Sequence, residues 1–171
     1  MKQIKKIAFA VGLACSCVAS LSAQDYVTVG KDGNVYDEAN AKYITVNQNN
    51  DDVTIVSGMV FATSQHTPGW YMIEYSPGLH AFIPEQIVIT PTIAPQPGIY
   101  DIKNKPGQKL NVRNDGDEWI ASVDGLDFRG VKSDNVIVFL DGSTNAVAYS
   151  LVDLGSDPIA ITYDNSVTKF F

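Results

Sequence analysis

Cysteine is confined to two positions, Cys15 and Cys17, and both fall within a leader that is expected to be removed. Residues 1–23 read as a signal peptide. Lys2, Lys5 and Lys6 make a basic start, the stretch from Ile7 to Leu21 is apolar and small, and Leu21-Ser22-Ala23 has the small-residue pattern of a cleavage site. The mature chain would then hold no thiol, which excludes disulfides, cysteine nucleophiles and thiolate metal sites. Beyond the leader no apolar run approaches the roughly 20 residues of a membrane-spanning helix, and no segment carries the period of a long amphipathic helix. Histidine is limited to His66 and His80, and no carboxylate spacing completes a zinc site around them. There is no Gly-x-Ser-x-Gly, phosphate loop, dinucleotide fingerprint or zinc-protease helix motif, so neither a cofactor, a metal nor a catalytic residue is expected.

Positive charge is also scarce. Three of the twelve basic residues lie in the leader and none of the nineteen acidic ones do, so the mature balance is nine against nineteen, a net of −10. Such a surface repels phosphate backbones and anionic headgroups, which excludes nucleic acid as a partner.

What the chain does have is short β-branched and aromatic runs separated by Gly, Asn, Asp and Pro clusters. Strands are predicted over Tyr26 to Val29, Val35 to Asp37, Lys42 to Val46, Val53 to Val56, Met59 to Thr63, Trp70 to Tyr75 and Ala81 to Ile89. After a break they resume over Gly98 to Ile102, Lys109 to Arg113, Glu118 to Val123, Asn135 to Leu140, Ala146 to Val152 and Ile159 to Tyr163. Lys31-Asp32-Gly33-Asn34 and Asn114-Asp115-Gly116-Asp117 carry Asp-Gly pairs suited to hairpin turns. The same residue types around Asn114 to Glu118 could serve a weak calcium site, but a plain hairpin accounts for them.

The break is rich in proline, with Pro91, Pro95 and Pro97 removing backbone donors and favouring an extended linker. It divides the mature chain into a β module over residues 24–90, a linker over 91–97 and a second β module over 98–171. Segments on its two sides match. Asn34-Val35-Tyr36-Asp37 parallels Gly98-Ile99-Tyr100-Asp101, Ile44-Thr45-Val46 parallels Leu110-Asn111-Val112, and Gly58-Met59-Val60-Phe61 parallels Gly125-Leu126-Asp127-Phe128. A duplicated module of roughly 65 residues would explain the offsets, and so would coincidence among common strand and turn residues.

The first half carries a more specific constellation. It runs from Gly58-Met59-Val60 through Gly69-Trp70-Tyr71-Met72-Ile73-Glu74-Tyr75 to Gly78-Leu79-His80-Ala81-Phe82-Ile83-Pro84. This resembles the bacterial SH3-like domain, a small barrel attached to many exported and cell-wall proteins, over about 45 residues. Ile44-Thr45-Val46-Asn47 approximates the opening Leu-Asn-Val-Arg of that pattern, which Leu110-Asn111-Val112-Arg113 reproduces in the second half without a following Gly-Trp pair. Ala81 stands where the family usually has a second glycine. The fold expected is all-β, a small SH3-like barrel followed by a second small β-barrel or β-sandwich module, which under the duplication reading is a divergent copy of the first.

Along the Gly-Trp strand, alternation puts Trp70, Met72 and Glu74 on one face and Tyr71, Ile73 and Tyr75 on the other, with the charge-free face inward. Trp70 is then either barrel core or a stacking platform next to Tyr71, Tyr75 and Phe82. His66 and His80 are read in flanking loops, and with Trp70, Glu74 and Phe82 they make the expected ligand surface. The resemblance implies an exported, non-enzymatic binding module, periplasmic or secreted, whose partner is a cell-wall peptide or glycan or another envelope protein. Cell-wall peptidases that carry such modules use Cys and His in a separate catalytic domain, and the mature chain has no cysteine. Two other readings stand beside this one: a small outer-membrane β-barrel, disfavoured by the Lys169 and Asn165 that would face lipid, and a small secreted hydrolase with an unrecognised site. Mass spectrometry of the protein recovered from cells is expected to give a chain beginning at Gln24. A mature chain retaining Met1 or carrying lipid on Cys15 would refute the leader reading.

Overall fold

The computed structural model describes residues 25–40, 54–76 and 78–163. The leader, the predicted strand Lys42 to Val46, the opening segment Ile44 to Asn47 and everything after Tyr163 lie outside the described residues. The fold is all-β, as expected. Its strands are β1 (Asp25–Val29), β2 (Gly33–Asn34), β3 (Thr54–Ile55), β4 (Val60–Thr67), β5 (Trp70–Ser76), β6 (Leu79–Pro84) and β7 (Val88–Ile89), with one 3-10 turn, Glu85–Ile87, before β7. They continue as β8 (Gly98–Asp101), β9 (Lys109–Asp115), β10 (Glu118–Val123), β11 (Leu126–Ser133), β12 (Val136–Leu140), β13 (Val147–Val152) and β14 (Ile159–Thr162).

The first sheet has the order β6-β5-β4-β1-β7, and β2 pairs separately with β3. The second sheet is an uninterrupted seven-stranded meander from β8 to β14. Its alternation is clean in β9, where Leu110 and Val112 are buried and Lys109 and Asn111 are exposed. The meander curls until its ends meet. Ile102 bridges Ala160 in parallel, the Lys103 amide donates to the Ala160 carbonyl at 2.9 Å, and the Asn104 side chain exchanges two hydrogen bonds with the Thr162 backbone at 2.9 and 3.0 Å. Residues 102–104 thus satisfy an edge that would otherwise present free backbone groups, making a nearly closed barrel.

Four sequence expectations change. β11 was not predicted, because Gly130 and alternate charged residues interrupt its apolar pattern. A Cβ on Gly130 would come within 2.8 Å of both Phe139 and Trp119, so its glycine serves close packing inside the barrel rather than a break. The run Ala81 to Ile89 divides at the Glu85–Ile87 turn, which lets β7 leave β6 and pair with β1. Lys31 to Asn34 is no hairpin: Asp32 accepts from the Ser57 amide at 2.8 Å, and Gly33 and Asn34 pair with β3. The predicted strand Val35 to Asp37 reduces to a single bridge, Tyr36 with Phe82. The Asn114 to Asp117 turn forms as expected between β9 and β10, with Gly116 at φ +71°.

The two sheets pack on each other. Val60 of β4, with Tyr26 of β1 against it, meets Val136 and Val138 of β12 and Val152 of β13. Farther along, Ile161 of β14 joins the core of the first sheet among Val29, Phe61, Ile73 and Ile83. β1, β4, β12, β13 and β14 are consequently covered on both faces, which is why Val136-Ile137-Val138-Phe139 is continuously apolar. Each of these aliphatic side chains contributes about 1.5–3 kcal/mol by leaving water. The proline-rich segment follows the second sheet: Pro91 accepts from the Asn135 side chain at 3.0 Å, Ile93 bridges Asp153, and Gln96 accepts from the Tyr100 hydroxyl.

A polar contact is built into this apolar seam. The Val60 amide donates to the Tyr163 hydroxyl at 2.5 Å, and Ser150 lies 3.1 Å from the same oxygen. Burial pushes the Tyr163 phenol up to about 12 from its ordinary 10.0. The neutral phenol is therefore the native form, and its contribution is complete below pH 10 and is lost as pH rises from 10 to about 12, on the order of 2–3 kcal/mol. Replacing Tyr163 by Phe keeps the ring but strands the Val60 amide, and is expected to cost about 1–3 kcal/mol in urea unfolding near neutral pH. The stability lost between pH 9 and pH 12 should shrink in the same variant. Gly58→Ala should also destabilise, since Gly58 sits at φ +98° and its Cβ would lie 2.6 Å from the Ile159 side chain.

Candidate functional site

The outer face of the first sheet is treated differently along its width. Over β1 and β4 it is sealed by the second sheet. Over β5 and β6 it carries Trp70, Met72 and Glu74 on one strand and His80, Phe82 and Pro84 on the other, in register as Trp70 with Pro84, Met72 with Phe82 and Glu74 with His80. Tyr36 reaches the same face through its bridge to Phe82 and meets Trp70 edge to face, with ring centroids 5.1 Å apart and planes at 85°. Tyr36, Trp70, Met72 and Phe82 are each half-buried. Together they form an aromatic surface whose rings support one another and still reach solvent.

Local sequence explains the positions. Gly69, at φ +87°, turns the chain sharply into β5, and Glu85 fixes that turn by accepting from the Gly69 amide at 3.1 Å. The Trp70 indole donates to the Asn40 side chain at 3.0 Å, which fixes the orientation of the ring. On the inward side Ile73 is fully buried while Tyr71 and Tyr75 are half-buried against the core, matching the predicted alternation.

Of the five residues read from the sequence, Trp70, Glu74, His80 and Phe82 share this outer face. His66 does not. It was placed in a loop, but β4 continues through it to Thr67, and a bulge between Thr63 and Gln65 shifts the register so that His66 pairs with Tyr71 on the opposite face. There its ring stacks on Tyr71, centroids 4.3 Å apart and planes at 22°, and its Nε2 lies 3.5 Å from Glu85. His80 likewise sits on β6 rather than in a loop, 3.6 Å from Glu74. The two histidines are thus separate, each beside its own glutamate. Tyr36 and Met72 are the members not assigned to the surface from sequence. The signal for Tyr36 was its place next to Val35, which is fully buried, so alternation turns the ring outward.

The acidic clusters of the second half are engaged in cross-strand contacts. Arg113 donates to Asp127 at 2.9 Å and to Ser122 at 2.8 Å and lies 3.5 Å from Asp115, while Asp124 accepts from Gln108 at 2.7 Å. The Arg113 hydrogen bond holds the Asp127 carboxyl below the usual range. Among the described residues no three His, Cys, Asp or Glu side chains are grouped to hold a metal ion. No protein-family model, curated protein or solved structure matches this chain. Trp70→Ala is expected to change urea stability by less than about 1.5 kcal/mol, whereas Ile73→Ala, which opens a cavity in the first core, should cost about 2–5 kcal/mol. Equal losses in the two variants would make Trp70 a structural core residue.

Proposed function

We propose that this chain is an exported, non-enzymatic binding protein of the bacterial envelope, with an SH3-like first module whose outer face recognises a neutral or cationic cell-wall peptide or glycan. The observation that carries this reading is the uneven covering of the first sheet. The second sheet occupies its outer face over β1 and β4, and three aromatic rings and a methionine remain uncovered by it over β5 and β6. Pre-formed aromatic surface binds flat or apolar ligand faces with little loss of side-chain freedom.

Charge narrows the ligand. Residues 24–100 contain two lysines against eight carboxylates, a net of −6, and Glu74 stands at the rim of the rings. Anionic polymers are repelled by such a field and amine-bearing or neutral ones are not. The export half of the reading rests on the basic and apolar order of residues 1–23.

The other two readings gain less support. In a membrane barrel the outward residues are apolar, whereas β9 to β11 turn Lys109, Asn111, Arg113, Asp127 and Arg129 outward around an apolar filling. A hydrolase would gather its acid, base and nucleophile around one pocket, and the two Glu–His pairs lie instead on opposite faces of the first sheet. The test is retention on purified cell-wall fragments. Wild-type protein should be retained, and Trp70→Ala and Phe82→Ala should each weaken retention by on the order of 1–3 kcal/mol with the fold intact. Wild-type protein that passes through unretained would overturn the assignment.

A further inference from the structure

A second concave site lies at the margin of the first sheet, where the two sheets diverge. It is an open cleft of about 340 Å³ between the start of β1, the bulged part of β4, the segment after β7 and the turn joining β11 to β12. That volume is at the small end for ligand pockets and suits a molecule the size of one sugar or one amino-acid side chain. One wall is the stacked pair His66 and Tyr71, and the His66 side chain is 48% exposed, so an imidazole face is open to the cleft.

The electrostatics of the cleft are one-sided. Its lining, among the described residues, holds two exposed carboxylates, Asp25 and Asp134, and neither lysine nor arginine. Among the described residues neither carboxylate takes part in a hydrogen bond or ion pair, whereas most other acids do: Asp101 with Lys109, Asp115 and Asp127 with Arg113, Glu118 with Arg129, and Glu74 and Glu85 with the histidines. Burial raises the Tyr26 phenol that also lines the cleft, so it stays a neutral hydrogen-bonding group there. Of the other rings at the cleft, His66 is already placed beside Glu85 and stacks on Tyr71.

Two unengaged carboxylates at a cavity with an aromatic wall are the complement of a cation carried on a compact body. We propose that this inter-sheet cleft is a binding site for a protonated primary amine, presented either by a lysine-type side chain or by an amino sugar. The carboxylates on β1 and on the β11–β12 turn receive the ammonium, and the His66 and Tyr71 pair receives the apolar part of the ligand. This site is separate from the outer aromatic face, since the β5 residue that lines it, Tyr71, faces the opposite side and none of Tyr36, Trp70 and Phe82 reaches it.

The test is a titration of isotope-labelled mature protein, followed by amide shifts, with two probes: Nα-acetyl-lysine methylamide and glucosamine. Their controls are the same molecules with the amine acetylated. At least one amine should move the amides of Asp25, Ser64 to His66 and Asp134 along a saturating curve, while its acetylated counterpart should not. Saturation by the lysine probe alone assigns a peptide source, and by glucosamine alone a sugar source. Asp25→Asn combined with Asp134→Asn should weaken binding at least tenfold with an unchanged melt, which is attainable because neither carboxylate holds a structural partner. Trp70→Ala should leave the titration unaltered. The proposal is overturned if neither amine perturbs the cleft, if the acetylated controls bind equally, if the double variant binds as wild type, or if Trp70→Ala abolishes the response.

Discussion

Burial of five strands on both faces is the constraint on which the remaining structure depends. β1 and β4 of the first sheet and β12, β13 and β14 of the second turn one face to their own core and the other across the seam. Neither sheet can present these outer faces to water without exposing Val60, Val136, Val138 and Val152, each of which is at most 5% accessible. Within that dry seam the Val60 amide must find an acceptor, and the Tyr163 hydroxyl is the group that reaches it. Gly58 lacks a side chain where Ile159 approaches, so the β3–β4 turn can lie against the second sheet.

The same packing determines which surfaces are left. A five-stranded sheet has more outer face than the second sheet covers, and the excess lies over β5 and β6. There the chain uses Tyr36, Trp70, Met72 and Phe82 instead of the polar residues that cover the outside of β9. At the β4 bulge the sheets part, and the opening retains two carboxylates outside the pairs that engage most of the other described acids. Both candidate surfaces therefore arise from how two twisted sheets meet, one as an uncovered face and one as a gap at the join.

Much of the first sheet was legible because its strands alternate. Ile73 inward with Trp70 outward, and Leu110 and Val112 inward with Lys109 and Asn111 outward, follow from period two alone. Three things were not legible. Gly130 resembles a strand end because its packing role depends on Phe139 and Trp119, which are distant in sequence. The bulge at Ser64 carries no residue signature, yet it decides that His66 joins Tyr71 rather than Trp70. The run Val136 to Phe139 was recognisable as a strand, but its lack of alternation means burial on both sides only once a second sheet is known to cover it. The aromatic surface was legible in Trp70 and Phe82 and incomplete without Tyr36, which arrives through a single bridge.

If the seam holds the two sheets as one cooperative unit, opening either should require opening both. Native-state hydrogen exchange measured residue by residue tests this most directly. The amides of Val60, Phe61 and Ile73 in the first sheet and of Val138, Leu151 and Ile161 in the second should exchange with one common free energy, equal to that of global unfolding. Exchange of the first-sheet amides through a separate, lower-energy opening, with the second sheet still protected, would contradict it.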